Sequence, residues 1–160
     1  INAEDKRFYD HAGSDFLAIM RSLSIDVRHG EARTGASTIT QQVVKLTLDR
    51  GAPRTLATKV MEIVWAWRLE LASTKDDVLE QYLNRVPYGN QLVGAEAASW
   101  MYFGKPAASV SLAEAAFMAG LPSSPTRLNP YRFLDRAKAR QRWLLDLMLE
   151  RAVISAVEPT

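Results

Sequence analysis

The sequence predicts an all-α fold. Three features point to it: no segment alternates convincingly at period two, apolar residues recur at helical spacing in several stretches, and caps and stops punctuate the chain between them. At 160 residues, 48% of them apolar, the chain is long enough for one domain with a sizeable core.

The elements follow in order. Glu4-Asp5-Lys6-Arg7-Phe8-Tyr9-Asp10-His11-Ala12-Gly13 is dense in chemistry for a terminus, where chains tend to fray, and reads as part of something longer. Ser14-Asp15 caps a helix whose stripe is Phe16, Ile19, Met20, Leu23 and Val27, ending near His29-Gly30; it suits a core, or with Arg21 and Arg28 a membrane surface. A polar loop from Gly30 to Gly35 feeds a helix capped by Ser37 or Thr38, and Asp49 to Pro53 breaks the chain. Thr55 to Leu71 is the most apolar helix. Ser73-Thr74 caps Lys75 to Asn84, and Val86-Pro87-Tyr88-Gly89 reads as a turn. A helix from Leu92 to Phe103, with small Ala95, Ala97 and Ala98, stops at Gly104. Ser111 and Glu114 make a capping box for a helix to Gly120. A Pro-punctuated loop then leads to a last helix, about Arg132 to Val153.

Composition removes several function classes. With 20 basic residues against 18 acidic ones, the net charge of +2 gives no footing for nucleic acid. Zero cysteines exclude a disulfide framework and any thiolate metal site. His11 and His29 lack the spacing of a helical zinc pair. No apolar run approaches the roughly 20 residues that span a bilayer.

Two stretches are candidate sites. On the helix after Gly35, Thr38, Gln41, Gln42 and Lys45 occupy the i, i+3, i+4, i+7 stripe, while Ile39, Val43 and Leu46 take another face. Spacing alone fits a solvated face, but such faces are usually rich in Glu, Lys and Arg rather than Thr-Gln-Gln. A hydroxyl, two amides and an ammonium in line suit an oxygen-rich anionic ligand. In the apolar helix, Glu62 is the only acid between Lys59 and Arg68, with Lys59 one turn earlier and Arg54 eight residues before it. A structural ion pair and a binding site both fit. Glu4 and Asp5 read either as surface acids or, beside apolar Phe8 and Tyr9, as a base in its setting.

In this order, these pieces resemble the glycosyltransferase family 51 domain, the peptidoglycan glycosyltransferase of class A penicillin-binding proteins and their monofunctional relatives. The resemblance covers essentially the whole chain. Glu4-Asp5-x-x-Phe8-x-x-His11-x-Gly13 looks like the first motif. Gly35-x-Ser37-Thr38-Ile39-Thr40-Gln41-Gln42-x-x-Lys45 looks like the second and is highly specific. Lys59-x-x-Glu62 resembles the third, with Thr58 where a basic residue is usual. Leu79-Glu80-x-Tyr82-Leu83-Asn84 is similar to the fourth, and Ala119 through Pro130 with Arg140 looks like the fifth region.

The resemblance implies a lysozyme-like, bilobal, all-α fold, with a large lobe and a smaller membrane-proximal jaw holding about residues 14–33. It implies a single glycosyltransferase domain over 1–160, with a transmembrane anchor before it and, in bifunctional members, a transpeptidase domain after it. The activity implied is polymerisation of lipid II on the outer face of the bacterial cytoplasmic membrane, by inverting displacement of undecaprenyl pyrophosphate. Glu4 and Glu62 are then the catalytic carboxylates, Glu4 the general base. Asp5, Ser37, Thr38, Gln41, Gln42, Lys45, Arg54 and Lys59 would bind substrate. No cofactor is obligatory, and a magnesium or manganese ion is an optional bridge on the pyrophosphate, with no dedicated metal ligands in view. Partners are lipid II, the growing glycan chain, the membrane surface and moenomycin-type inhibitors. Two other functions stay open: a lysozyme-like hydrolase using Glu4 as acid, and a non-catalytic lipid II-binding scaffold.

Overall fold

The computed structural model describes residue 1 and residues 4–15, 37–48 and 55–154. The expected helix after Ser14-Asp15, nearly all of the expected jaw, the Gly30–Gly35 loop, the break at 49–53 and Arg54 lie outside the described residues. The chain forms two compact units, one reaching Arg85 and one beginning at Val86. Both are mainly helical.

Among its described residues the first unit holds α1 (Ile39–Leu48), α2 (Leu56–Ala72) and α3 (Lys75–Arg85), with a single 3-10 turn, Phe8–Asp10, before them. Thr38 caps α1, its hydroxyl accepting from the Gln41 N–H at 3.2 Å. The Gln41 side-chain oxygen accepts from Lys59 Nζ, and its nitrogen donates to Ser14 Oγ. Thr55 caps α2 through a reciprocal box with Thr58, the residue standing where the resemblance expects a base. Thr74 and Asp77 bond each other at the start of α3. The two bonds from Thr74, side chain first, hold the Asp77 carboxyl below its ordinary range.

Helix α1 packs against both α2 and α3. The buried set is Phe8, Ile39, Val43, Val44, Ala66, Val78 and Tyr82. Gly13, at φ +72°, lies so close to α2 that a Cβ there would come within 2.9 Å of the Ala66 backbone; the sequence needs glycine for both reasons. Helix α2 keeps Val60, Met61, Val64, Trp65, Trp67 and Leu71 exposed, so its length of apolar sequence is only partly core.

The second unit opens with a hairpin that the sequence reading took for a turn and the start of a helix. Strands β1 (Pro87–Gly89) and β2 (Leu92–Val93) pair antiparallel about Asn90-Gln91, both at positive φ, the conformation of a two-residue hairpin turn. Helix α4 (Ala95–Phe103) therefore starts three residues later than expected, and Gly104 ends it in the left-handed conformation, as expected. Helix α5 (Leu112–Gly120) carries the expected Ser111–Glu114 box. Helix α6 (Pro130–Glu150) begins two residues early, because Asn129 accepts from the Tyr131 N–H and Pro130 suits the first turn. It is kinked at Phe133. Gly120 lets α5 approach α6, since a Cβ there would lie 2.9 Å from Arg140 Cγ. Tyr102 edges against Phe117, and its hydroxyl donates to the Tyr88 carbonyl.

Candidate active site

The candidate residues of the first unit gather around the N-terminal half of α1. Asp5 is the anchor. Its carboxylate accepts from the Ile39 backbone N–H at 3.0 Å, one of the unsatisfied donors of the helix start, where the positive end of the helix dipole favours an anion. His11 Nε2 lies 3.0 and 3.1 Å from the same two oxygens, and the His11 side chain is largely buried. Asp5 is itself 6% exposed, so the structure gives this expected substrate ligand a role inside the protein. Thr38 Oγ1 donates to the Gly13 carbonyl at 2.7 Å, and Arg7 Nε donates to Asp15 at 3.0 Å. These ties fix the course of a segment that has almost no helix of its own.

Glu4, next to Asp5, is only half-buried, and its Oε2 accepts from Gln42 Nε2 at 3.2 Å. Gln41 and Gln42 are adjacent but serve different ends of the site. The Gln41 amide is nearly inaccessible; it donates to Ser14 Oγ at 2.8 Å and accepts from Lys59 Nζ at 3.1 Å. Lys59 also donates to Ser37 Oγ at 2.8 Å and to Glu62 Oε2 at 2.9 Å. The expected Lys59–Glu62 pair is therefore present, with 17% of the Glu62 side chain exposed. A carboxylate with so much apolar sequence around it finds the cation that it needs.

Lys45 stands apart. Half-buried in the last turn of α1, it makes no hydrogen bond or ion pair among the described residues. Its charge is uncommitted, whereas that of Lys59 is shared among three oxygens. The polar stripe is thus no solvated face: Thr38 and Gln41 are buried, and Gln42 and Lys45 lie at the edge of the packed region. The Glu4–Gln42 bond and the Gln41–Lys59–Glu62 contacts make a set joined by the adjacency of the two glutamines on α1. Such a set places a possible base at one end and cations at the other, able to receive an oxygen-rich anion between them.

Sequence reasoning missed Ser14, Glu70 and Lys75, and placed Thr40 only within a motif. Thr40 is buried and donates to Glu70 Oε1, which also accepts from Lys75 Nζ. Glu70 and Lys75 fall on different helices across the Ser73-Thr74 break, so no helical spacing could join them.

The family model for transglycosylases matches residues 1–149. The chain is 41% identical over 157 residues to penicillin-binding protein 1A of Pseudomonas aeruginosa, covering 96% of this chain and 19% of that protein. It is 42% identical over 155 residues to the Escherichia coli protein of the same name, covering 97% and 18%. A crystal structure of penicillin-binding protein 1A from Haemophilus influenzae matches with a TM-score of 0.49 and 28% identity, over 74% of this chain and 14% of that one. The chain belongs to the transglycosylase family, the peptidoglycan glycosyltransferases. It spans about a fifth of the length of the curated relatives it matches.

Proposed function

We propose that this domain polymerises lipid II, with Glu4 as the general base and the cations of α1 and α2 receiving the diphosphate. The observation that carries the reading is that Gln42, which bonds Glu4, stands next on α1 to Gln41, which bonds Lys59 and through it meets Glu62, so that one helix presents a carboxylate beside a cationic cluster.

The donor is the glycan chain α-linked to undecaprenyl pyrophosphate, and the acceptor is the 4-hydroxyl of an incoming lipid II. Glu4 takes the hydroxyl proton as the oxygen attacks the anomeric carbon. The bond from that carbon to the diphosphate oxygen breaks, and the electron pair leaves with undecaprenyl pyrophosphate. The product is β-1,4-linked, so the centre inverts in a single displacement. Inversion of this kind needs a base on one side and charge stabilisation on the other. Lys45, Lys59 and, by resemblance, Arg54 supply the latter. Glu62, paired with Lys59, orients that cation, and the Ser37 and Gln42 side chains hold sugar and phosphate oxygens. Thr38, Gln41 and Asp5 act from within, setting the surface that the substrate meets.

Among the described residues no group of three or more His, Asp or Glu side chains could hold a metal ion, and no step is routed through one. No described helix is long and apolar enough to cross a membrane. Because the substrate is lipid-linked, we place the reaction at the outer surface of the cytoplasmic membrane, and moenomycin, itself a phosphoglycolipid, in the same cationic site.

The test is incubation with labelled lipid II, with and without moenomycin. Inhibitor-sensitive glycan strands support the reading. Muropeptides released from purified sacculi would instead make the domain a hydrolase, and lipid II binding with no turnover would make it a scaffold.

A further inference from the structure

Nothing in that scheme uses Glu70 or Lys75, yet both are half-buried charges engaged on several sides. Lys75, the first residue of α3, has 21% of its side chain exposed and Glu70, near the end of α2, has 8%. The Lys75 ammonium donates to the His11 carbonyl at 2.6 Å and to Glu70 Oε1 at 2.8 Å, and sits 4.5 Å above the centre of the Phe8 ring. Glu70 Oε1 accepts as well from Thr40 on α1. One ion pair therefore ties three helices to the segment that bears Glu4.

That segment needs such ties, since residues 4–15 hold only one 3-10 turn. The path to Glu4 is short. Lys75 fixes the His11 backbone; the His11 ring fixes Asp5; Asp5 takes the Ile39 N–H of α1. Glu4 follows, meeting Gln42 three residues further along the same helix. Were the pair merely stabilising, a well-packed apolar substitute would serve as well or better. A lysine bonded to a backbone carbonyl does something an apolar residue cannot: it sets where the carbonyl sits.

We infer that Lys75 and Glu70 are positioning residues for Glu4, acting through His11 and Asp5 to hold the base at its distance from α1. The inference rests on the reading of Glu4 as base. The test measures lipid II turnover by the intact protein as wild type, Lys75→Met, Lys75→Arg and Glu70→Gln, with folded fraction followed by circular dichroism. Misplacement of a reacting group by about an ångström costs up to about a hundredfold in rate. Lys75→Met should therefore lose about tenfold to a hundredfold in kcat per folded molecule, with KM for lipid II within about twofold of wild type. Lys75→Arg, which can still donate to both carbonyl and carboxylate, should recover most of the loss, and Glu70→Gln should fall between. Wild-type kcat in Lys75→Met, a loss no larger than the loss of folded protein, or a raised KM at unchanged kcat would each overturn the inference. If Lys75→Met does not fold, Glu70→Gln decides, and unchanged kcat there overturns it. Absence of turnover by the wild type would sink the activity reading and this inference together; turnover equal in wild type and Lys75→Met sinks the inference alone.

Discussion

The side-chain amide of Gln42 donates to the carboxylate of Glu4 at 3.2 Å, joining residues 38 positions apart. This bond fixes which way the proposed base faces. It also leaves the second carboxylate oxygen without a hydrogen bond among the described residues, and thus open to an acceptor hydroxyl. Gln42→Ala removes the tether but no buried charge. We expect kcat for lipid II polymerisation to drop about tenfold while the protein stays folded, as read by initial rates beside a thermal melt.

Lys45 and Lys59 should separate under mutation. Lys45 has no hydrogen-bond or ion-pair partner among the described residues, so Lys45→Ala should weaken moenomycin binding by about tenfold or more without lowering the melting temperature. Lys59→Ala should weaken binding too, but it also strips Glu62, Ser37 and Gln41 of a shared donor and should lower the melting temperature. Anisotropy of a labelled inhibitor, with melts on the same samples, checks both. Unchanged affinity in both variants would remove these lysines from the phosphate site.

Thr38 does two things with one hydroxyl, capping α1 and holding the Gly13 carbonyl. Thr38→Val keeps the shape and loses both bonds in a buried place. A cost of about 1–3 kcal/mol is expected from the loss of a cap and an unsatisfied buried carbonyl, measured by chemical denaturation.

Burial pushes the Tyr88 phenol from 10.0 up to about 12. The folded chain then keeps a proton that the unfolded chain releases, so this contribution to stability is complete below pH 10 and is lost as pH rises towards 12. The difference amounts to about 2 to 3 kcal/mol. Denaturant midpoints between these pH values should fall steeply for the wild type and less steeply for Tyr88→Phe, which has no phenol to ionise.

What the sequence disclosed was local. The Ser111–Glu114 box, the Gly104 stop and the Lys59–Glu62 pair each lie within a few residues, where the helix period does the work. The hairpin escaped because strands of three and two residues are too short to show alternation, and Asn90-Gln91 lacks the glycine that marks such turns. In the site, the stripe from Thr38 to Lys45 was visible, but spacing could not tell a solvated face from a buried one; contacts with Gly13, Ser14 and Lys59 decide that. Glu4 stood beside Asp5 as one of two candidate acids until family resemblance chose it as the base, since nothing periodic links it to Gln42. The network from Thr40 through Glu70 to Lys75 and His11 was beyond reach for the same reason, as it exists only once three helices have packed.

The most direct test is polymerisation of labelled lipid II by wild type and Glu4→Gln under identical conditions. The substitution keeps the side chain's size and an oxygen for Gln42 while removing its ability to take a proton. The account predicts that glycan strands vanish while the melting temperature and lipid II binding stay at wild-type values. Normal strands from Glu4→Gln would contradict it, and another group would have to take the acceptor's proton.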